Sequence, residues 1–220
     1  MSYHPPSLIH QSRMPKMIEK IQEFDRPINM LEIGTWYGVG SFRLWLEFLP
    51  SGSTITVMDL WRNVSNDGLP SLQVELDTNP EEVIFNGWKS TIEQVRQFES
   101  SKIKDIVINV IRADSNPFLE SFKDKLFDFI YIDGDHGYSG CYYDAVQAKR
   151  LIKDNGIICG DDLDITGTPE NIDEIRIKAQ QSRSAPYHPG VSAAVYDAFG
   201  VVNNYSGFWW VDVKDGKFVV

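Results

Sequence analysis

The sequence predicts an α/β fold in which a doubly wound, mostly parallel sheet carries helices on both faces. Three observations predict it. The apolar runs lack the alternation of a half-solvated strand, as strands buried on both sides do. Stretches with helical spacing separate them, the order expected when crossover helices join parallel strands. The first run enters a glycine-rich turn that opens an amphipathic helix, Met30-Leu31-Glu32-Ile33-Gly34-Thr35-Trp36-Tyr37-Gly38-Val39-Gly40-Ser41.

Met14, Met17, Ile18, Ile21 and Phe24 recur at helical spacing, so a leading helix spans 13–24 within an N-terminal helical segment of 1–27, with Pro15 tolerated in its first turn. Strand one is 28–33. The helix that follows, 38–48, buries Phe42, Leu44, Trp45 and Phe48 and is ended by Pro50-Ser51-Gly52. Strand two, 54–60, is β-branched and ends near Asp59 and Leu60. Residues 61–79 are polar, contain Asn66-Asp67-Gly68 and Pro70, and read as a long loop. Helical spacing returns over 81–98 with Val83, Ile84, Trp88, Ile92, Val95 and Phe98. Strand three, 106–111, leads to Asp114 and Ser115; strand four, 126–132, leads to Asp133-Gly134-Asp135-His136. A helix over 138–152 and a strand over 156–159 follow, the latter ending at Gly160-Asp161-Asp162. Residues 163–190 are polar and hold Gly167, Pro169, Pro186 and Pro189, so they read as a second long loop; a helix over 191–199 and a strand over 208–213 close the chain. Loops this long are usually functional or disordered, and both are assigned to the active site.

A chain of 220 residues can bury one sizeable core, so 1–220 reads as a single domain. No apolar run approaches the roughly 18 residues of a membrane span, and the N-terminus lacks the basic and apolar regions of a secretory signal. The expectation is a cytoplasmic protein without a membrane partner, with room for a homo-oligomer. Cys141 and Cys159 lack metal-ligand spacing and read as core thiols. A net charge of −10 with no clustered Lys and Arg argues against nucleic acid. A small-molecule partner fits better.

Parallel strands deliver their C-terminal ends to one edge, where ligands bind in open α/β sheets. That edge collects Glu32, Asp59, Asp114, Asp133, Asp135, His136, Asp161 and Asp162. The glycines at 34, 38 and 40 do not match the G-x-G-x-x-G of a dinucleotide site. Glu32, just before them, would repel a pyrophosphate and suits an amine-bearing ligand. Asp59 could accept two ribose hydroxyls. Asp114 could also cap a helix. Asp133, Asp161 and Asp162 would repel one another without a cation, and oxygen-only ligation suits Mg²⁺. His136, mostly neutral at physiological pH, is a candidate base.

Together the glycine turn, Glu32 and Asp59 resemble the class I S-adenosylmethionine-dependent methyltransferases. The resemblance implies a Rossmann-like seven-stranded sheet of order 3-2-1-4-5-7-6. It also implies a cofactor site of Glu32, Gly34, Thr35, Tyr37, Gly38, Ser41, Asp59, Leu60, Asp114, Ser115 and Asp133. Asp133, His136 and Asp161-Asp162 resemble the metal-dependent O-methyltransferases of the catechol type and, more closely, those acting on macrolide sugars. That implies metal ligation by Asp133, Asp161 and Asp162, a catalytic His136 with Asp133, and a small hydroxylated substrate. His188-Pro189-Gly190-Val191 resembles the family's entry to its last helix, with His188 itself read as a surface residue. Two other readings stay open: a metal-independent methyltransferase acting on an amine or other small acceptor, and a non-catalytic S-adenosylmethionine-binding module.

Overall fold

Strands form where the apolar runs lie, and their register sets which side chains meet. The computed structural model describes residues 11–61, 85–93, 105–181 and 187–220. Helix α1 (Met14–Ile21) precedes β1 (Asn29–Ile33), α2 (Ser41–Phe48) and β2 (Thr54–Asp59). A helix over 85–93, α3, comes next, then β3 (Val107–Arg112), β4 (Phe127–Ile132), α4 (Tyr138–Leu151) and β5 (Ile152–Gly160). Helices α5 (Ile172–Gln181) and α6 (Pro189–Phe199) lead to β6 (Asn203–Tyr205), β7 (Phe208–Lys214) and β8 (Lys217–Val219). The sheet order is β3-β2-β1-β4-β5-β7-β6, parallel from β3 through β5 and antiparallel where β7 joins. This is the expected Rossmann-like order, with β8 added as a further short strand folded back on β7.

Alternate residues of a strand face opposite sides, and two cores result. Met30, Phe129, Tyr131, Ile157 and Cys159 pack with Met17, Ile21, Phe42 and Trp45 under α1 and α2. Leu31, Ile33, Ile130, Ile132 and Ile158 pack with Cys141, Ala145, Val191 and Ala194 under α4 and α6. Trp45 sits edge-on to Phe129 and Tyr131, with centroids 5.3 and 5.2 Å apart. Both cysteines are free and buried, as core thiols should be. No helix among the described residues is long and apolar enough to cross a membrane.

Several boundaries differ from the sequence reading. Helix α2 starts at Ser41 because Gly38 takes φ +70° and Gly40 a non-helical φ −100°, ψ −114°. Strand β5 starts directly at Ile152, with a register shift against β4 between Phe127 and Phe129. The stretch 163–190 is not all loop: α5 lies inside it, Leu163 and Ile175 are buried, and residues 182–186 are outside the described set. The 61–79 loop and the ends of the 81–98 helix also fall outside, apart from Trp61 and residues 85–93. Strand β3, expected to be covered, leaves Val107 and Val110 exposed at the sheet edge.

Candidate active site

Backbone hydrogen bonds lace the strand ends together. Gly34 N–H donates to Met58 O at 2.8 Å, Asp133 N–H to Ile33 O at 2.8 Å, and Asp161 N–H to Ile132 O at 3.2 Å. Gly34 has φ +82°, and a Cβ there would lie 2.0 Å from Asp133 O. Only glycine allows the β1 turn and the β4 turn to approach this closely.

Glu32 lies fully buried at the base of this turn. Ser41 Oγ donates to its Oε1 at 2.5 Å, while Oε2 has no hydrogen-bond partner among the described residues. Burial pushes its carboxyl up to about 8, with the charges of Asp133 and Asp59 adding to the rise. A buried acceptor left open beside a glycine turn fits an ammonium-bearing ligand, because the arriving cation restores the ionised form. Asp59 is already engaged: its Oδ2 accepts from Thr35 N–H (2.9 Å) and Trp36 N–H (2.7 Å), and its Oδ1 from Trp61 N–H (2.6 Å). The carboxylate therefore pins the turn, and Oδ1 keeps capacity for a further hydroxyl. Leu60 beside it is half-buried.

Tyr37 turns its ring into the core, 1% exposed and packed on Gly87, while Thr91 Oγ1 donates to its carbonyl at 2.8 Å. The sequence reading placed Tyr37 in the cofactor site; its ring is covered beneath α3. Gly38 N–H donates to Thr35 O at 2.8 Å, closing the turn. Asp114 is exposed and accepts from Asn116 N–H at 3.2 Å, its helix-capping role. Ser115 hydrogen-bonds Asp144, a carboxylate 1% exposed on α4 that the sequence reading missed.

The acids at the other strand ends are divided between two cation-like partners. Arg13, just before α1, contacts Asp161 through Nη1, reaches Asp162 Oδ1 at 3.0 Å and Asp164 Oδ1 at 3.7 Å, and donates from Nε to Ser206 O at 2.6 Å. Burial, with Asp133 and Asp162 nearby, pushes Asp161 up to about 8 against the pull of Arg13. His136 Nε2 lies 3.2 Å from Asp162 Oδ2 and 3.8 Å from Asp133 Oδ1. Burial raises Asp133 as well, and the buried Tyr131 hydroxyl donates to its Oδ2 at 3.4 Å. Asp135 accepts from Gly137 N–H at 2.8 Å and so caps the turn before α4.

His188, read from the sequence as a surface residue, is partly exposed and also reaches this edge. Its ring meets that of His136 at 4.6 Å between centroids, and its Nδ1 lies 3.0 Å from Asp164 Oδ2. Gly190 explains the approach, since a Cβ there would lie 2.4 Å from His136 O. The glycine two residues on was the one sequence signal for this contact. Arg13 had none, being 148 residues from Asp161. The expected metal acids Asp133, Asp161 and Asp162 lie together at the strand ends, with Asp161 turned to Arg13, and among the described residues His136, Asp162 and His188 also bring ligand atoms within 4.8 Å of one another.

A mostly parallel sheet of this order, with a glycine turn after β1 and acids at the ends of β2, β4 and β5, is the fold of the class I S-adenosylmethionine-dependent methyltransferases. The family model described as a methyltransferase domain matches residues 31–163, and the chain belongs to that family. A candidate O-methyltransferase from Klebsiella pneumoniae superposes with a TM-score of 0.58 at 13% identity, over 96% of this chain and 83% of that one. An O-methyltransferase from Bacillus cereus, solved in complex with SAH, gives 0.56 at 18% identity, over 96% and 84%. At such identities these likenesses speak for the fold. Among curated proteins no match is found.

Proposed function

We propose that the chain transfers a methyl group to a hydroxyl of a small molecule, such as a sugar or another natural product, with a divalent cation assisting. S-adenosylmethionine supplies the electrophilic methyl on its sulfonium. Glu32 and the glycine turn would hold its amino-acid portion, and Asp59 Oδ1 a ribose hydroxyl. The observation that carries the oxygen-acceptor reading is the cluster of Asp133, His136 and Asp162 across the edge from Glu32, with 3.2 Å between His136 Nε2 and Asp162 Oδ2. An alcohol gives up its proton only with help, and carboxylates and imidazoles gathered here can orient the hydroxyl and receive the proton. A cation, Mg²⁺ in the first reading of the acids, would lower the hydroxyl's pKa.

The His136–Asp162 pair also favours a second reading, in which His136 is the base and Asp162 orients it with no metal. One experiment separates the two. S-adenosylmethionine turnover is followed on a panel of sugars, catechols and amines, before and after exhaustive chelation. Turnover on hydroxyl acceptors that chelation abolishes supports the first reading. Chelation-insensitive turnover with His136→Ala inactive supports the second, and methylation of amines alone would overturn both.

A further inference from the structure

We propose that His136, Asp162 and His188 form a binding site for a divalent transition-metal ion of the Zn²⁺ or Mn²⁺ kind, with Asp164 positioning His188. The proposal rests on the cation-assisted reading for its role in turnover, while the site itself stands on donor geometry. Residues from three elements meet here: the turn after β4, the end of β5 and the entry to α6. Their ligand atoms lie within 4.8 Å of one another. Nitrogen and oxygen donors at ~2.0–2.2 Å from one ion sit roughly 3–3.5 Å apart, so the 3.2 Å between His136 Nε2 and Asp162 Oδ2 is already a coordination edge.

His188 is held from behind. Asp164 Oδ2 accepts from His188 N–H at 2.9 Å and lies 3.0 Å from its Nδ1, which holds the ring where Nδ1 also stands 3.8 Å from Asp162 Oδ2. A carboxylate that orients the ring is a common outer support of a ligating histidine. Arg13 takes Asp162 Oδ1 at 3.0 Å and thereby leaves Oδ2 toward the histidines. Asp162 itself has φ +60°, a conformation that aspartate tolerates better than most residues.

The donor set decides the ion. Mg²⁺ demands oxygens and sheds water reluctantly, whereas imidazole suits first-row transition metals. Two imidazoles and one carboxylate therefore move the preference away from Mg²⁺, and His136 becomes a ligand instead of the base.

The test uses the full chain, stripped with a chelator and titrated calorimetrically with ZnCl₂, MnCl₂ or MgCl₂ in the absence of cofactor and acceptor. One Zn²⁺ should bind per chain, at least about 100-fold more tightly than Mg²⁺. His136→Ala and His188→Ala should each weaken Zn²⁺ by more than about 100-fold, and Asp164→Asn by about 10–100-fold. The double change of His4 and His10 to alanine should leave binding intact. Equal affinity for Mg²⁺ and Zn²⁺, or unchanged Zn²⁺ affinity in folded His136 and His188 variants, would overturn the proposal. Should a variant not fold, histidine acylation of the wild type mapped by mass spectrometry decides: Zn²⁺ shields His136 and His188 if they ligate it, and unchanged labelling overturns the site. Intact turnover without any metal binding would remove the site and leave methyl transfer standing.

Discussion

Asp144 and Asp59 show how single carboxylates serve this edge. Asp144 has one oxygen with no partner among the described residues, and burial pushes it up to about 7. From its ordinary value near 3.8 up to about 7, the unfolded chain has released a proton that the folded chain keeps, so stability falls as pH rises through this window. The loss approaches about 4 kcal/mol at most, and above pH 7 the curve levels. Asp144→Asn should remove this slope. Thermal melts at pH 5 and pH 8 check it: the wild type should lose more Tm between the two than the variant, and equal losses would discard the assignment. Asp59→Ala should weaken S-adenosylmethionine by about 1.5–3 kcal/mol by calorimetry. It should also lower Tm, because Thr35, Trp36 and Trp61 N–H lose their acceptor. An unchanged Tm would show that the turn holds its shape without the carboxylate.

At the scale of elements, the contact between the β1 and β4 turns sets how the site is built. Gly34→Ala places a methyl 2.0 Å from Asp133 O and strains a φ of +82°. The variant should lose more than about 3 kcal/mol in urea unfolding, beyond ordinary overpacking, and should bind no S-adenosylmethionine. Near-wild-type stability would mean that the two turns can separate freely. These strands and their acids were legible in sequence because a strand buried on both faces needs an unbroken apolar run, and the residue after it reaches the ligand edge. Helix α5 was not: Ile172 and Ile175 are its buried apolar residues, too few for periodicity to stand out in a polar stretch. The place of Tyr37 was hidden for another reason, since whether its ring faces ligand or core depends on α3, far along the chain. Pairings made over long separations, Arg13 with Asp161 or His188 with His136, leave no local pattern to read.

Taken whole, the molecule places two groups of acids on one sheet edge, the buried Glu32 beneath the glycine turn and the cluster at Asp162, with the β4 turn between them. Arg13 has a consequence for this arrangement. Asp133, Asp161, Asp162 and Asp164 could not be gathered by folding alone without strong mutual repulsion, and Arg13 reaches three of them. The protein thus carries its own counter-ion, fixed in the fold, and does not need to await one from solution to assemble its active edge. Such a counter-ion also competes with any cation that arrives later. Arg13→Ala should therefore do two opposite things. It should cost the cation-free protein about 3 kcal/mol by leaving Asp161 buried and unpaired, and it should tighten divalent-cation binding. Added cation would then rescue the Tm of the variant far more than that of the wild type, turning a protein that folds first and binds second into one whose folding depends on the ion.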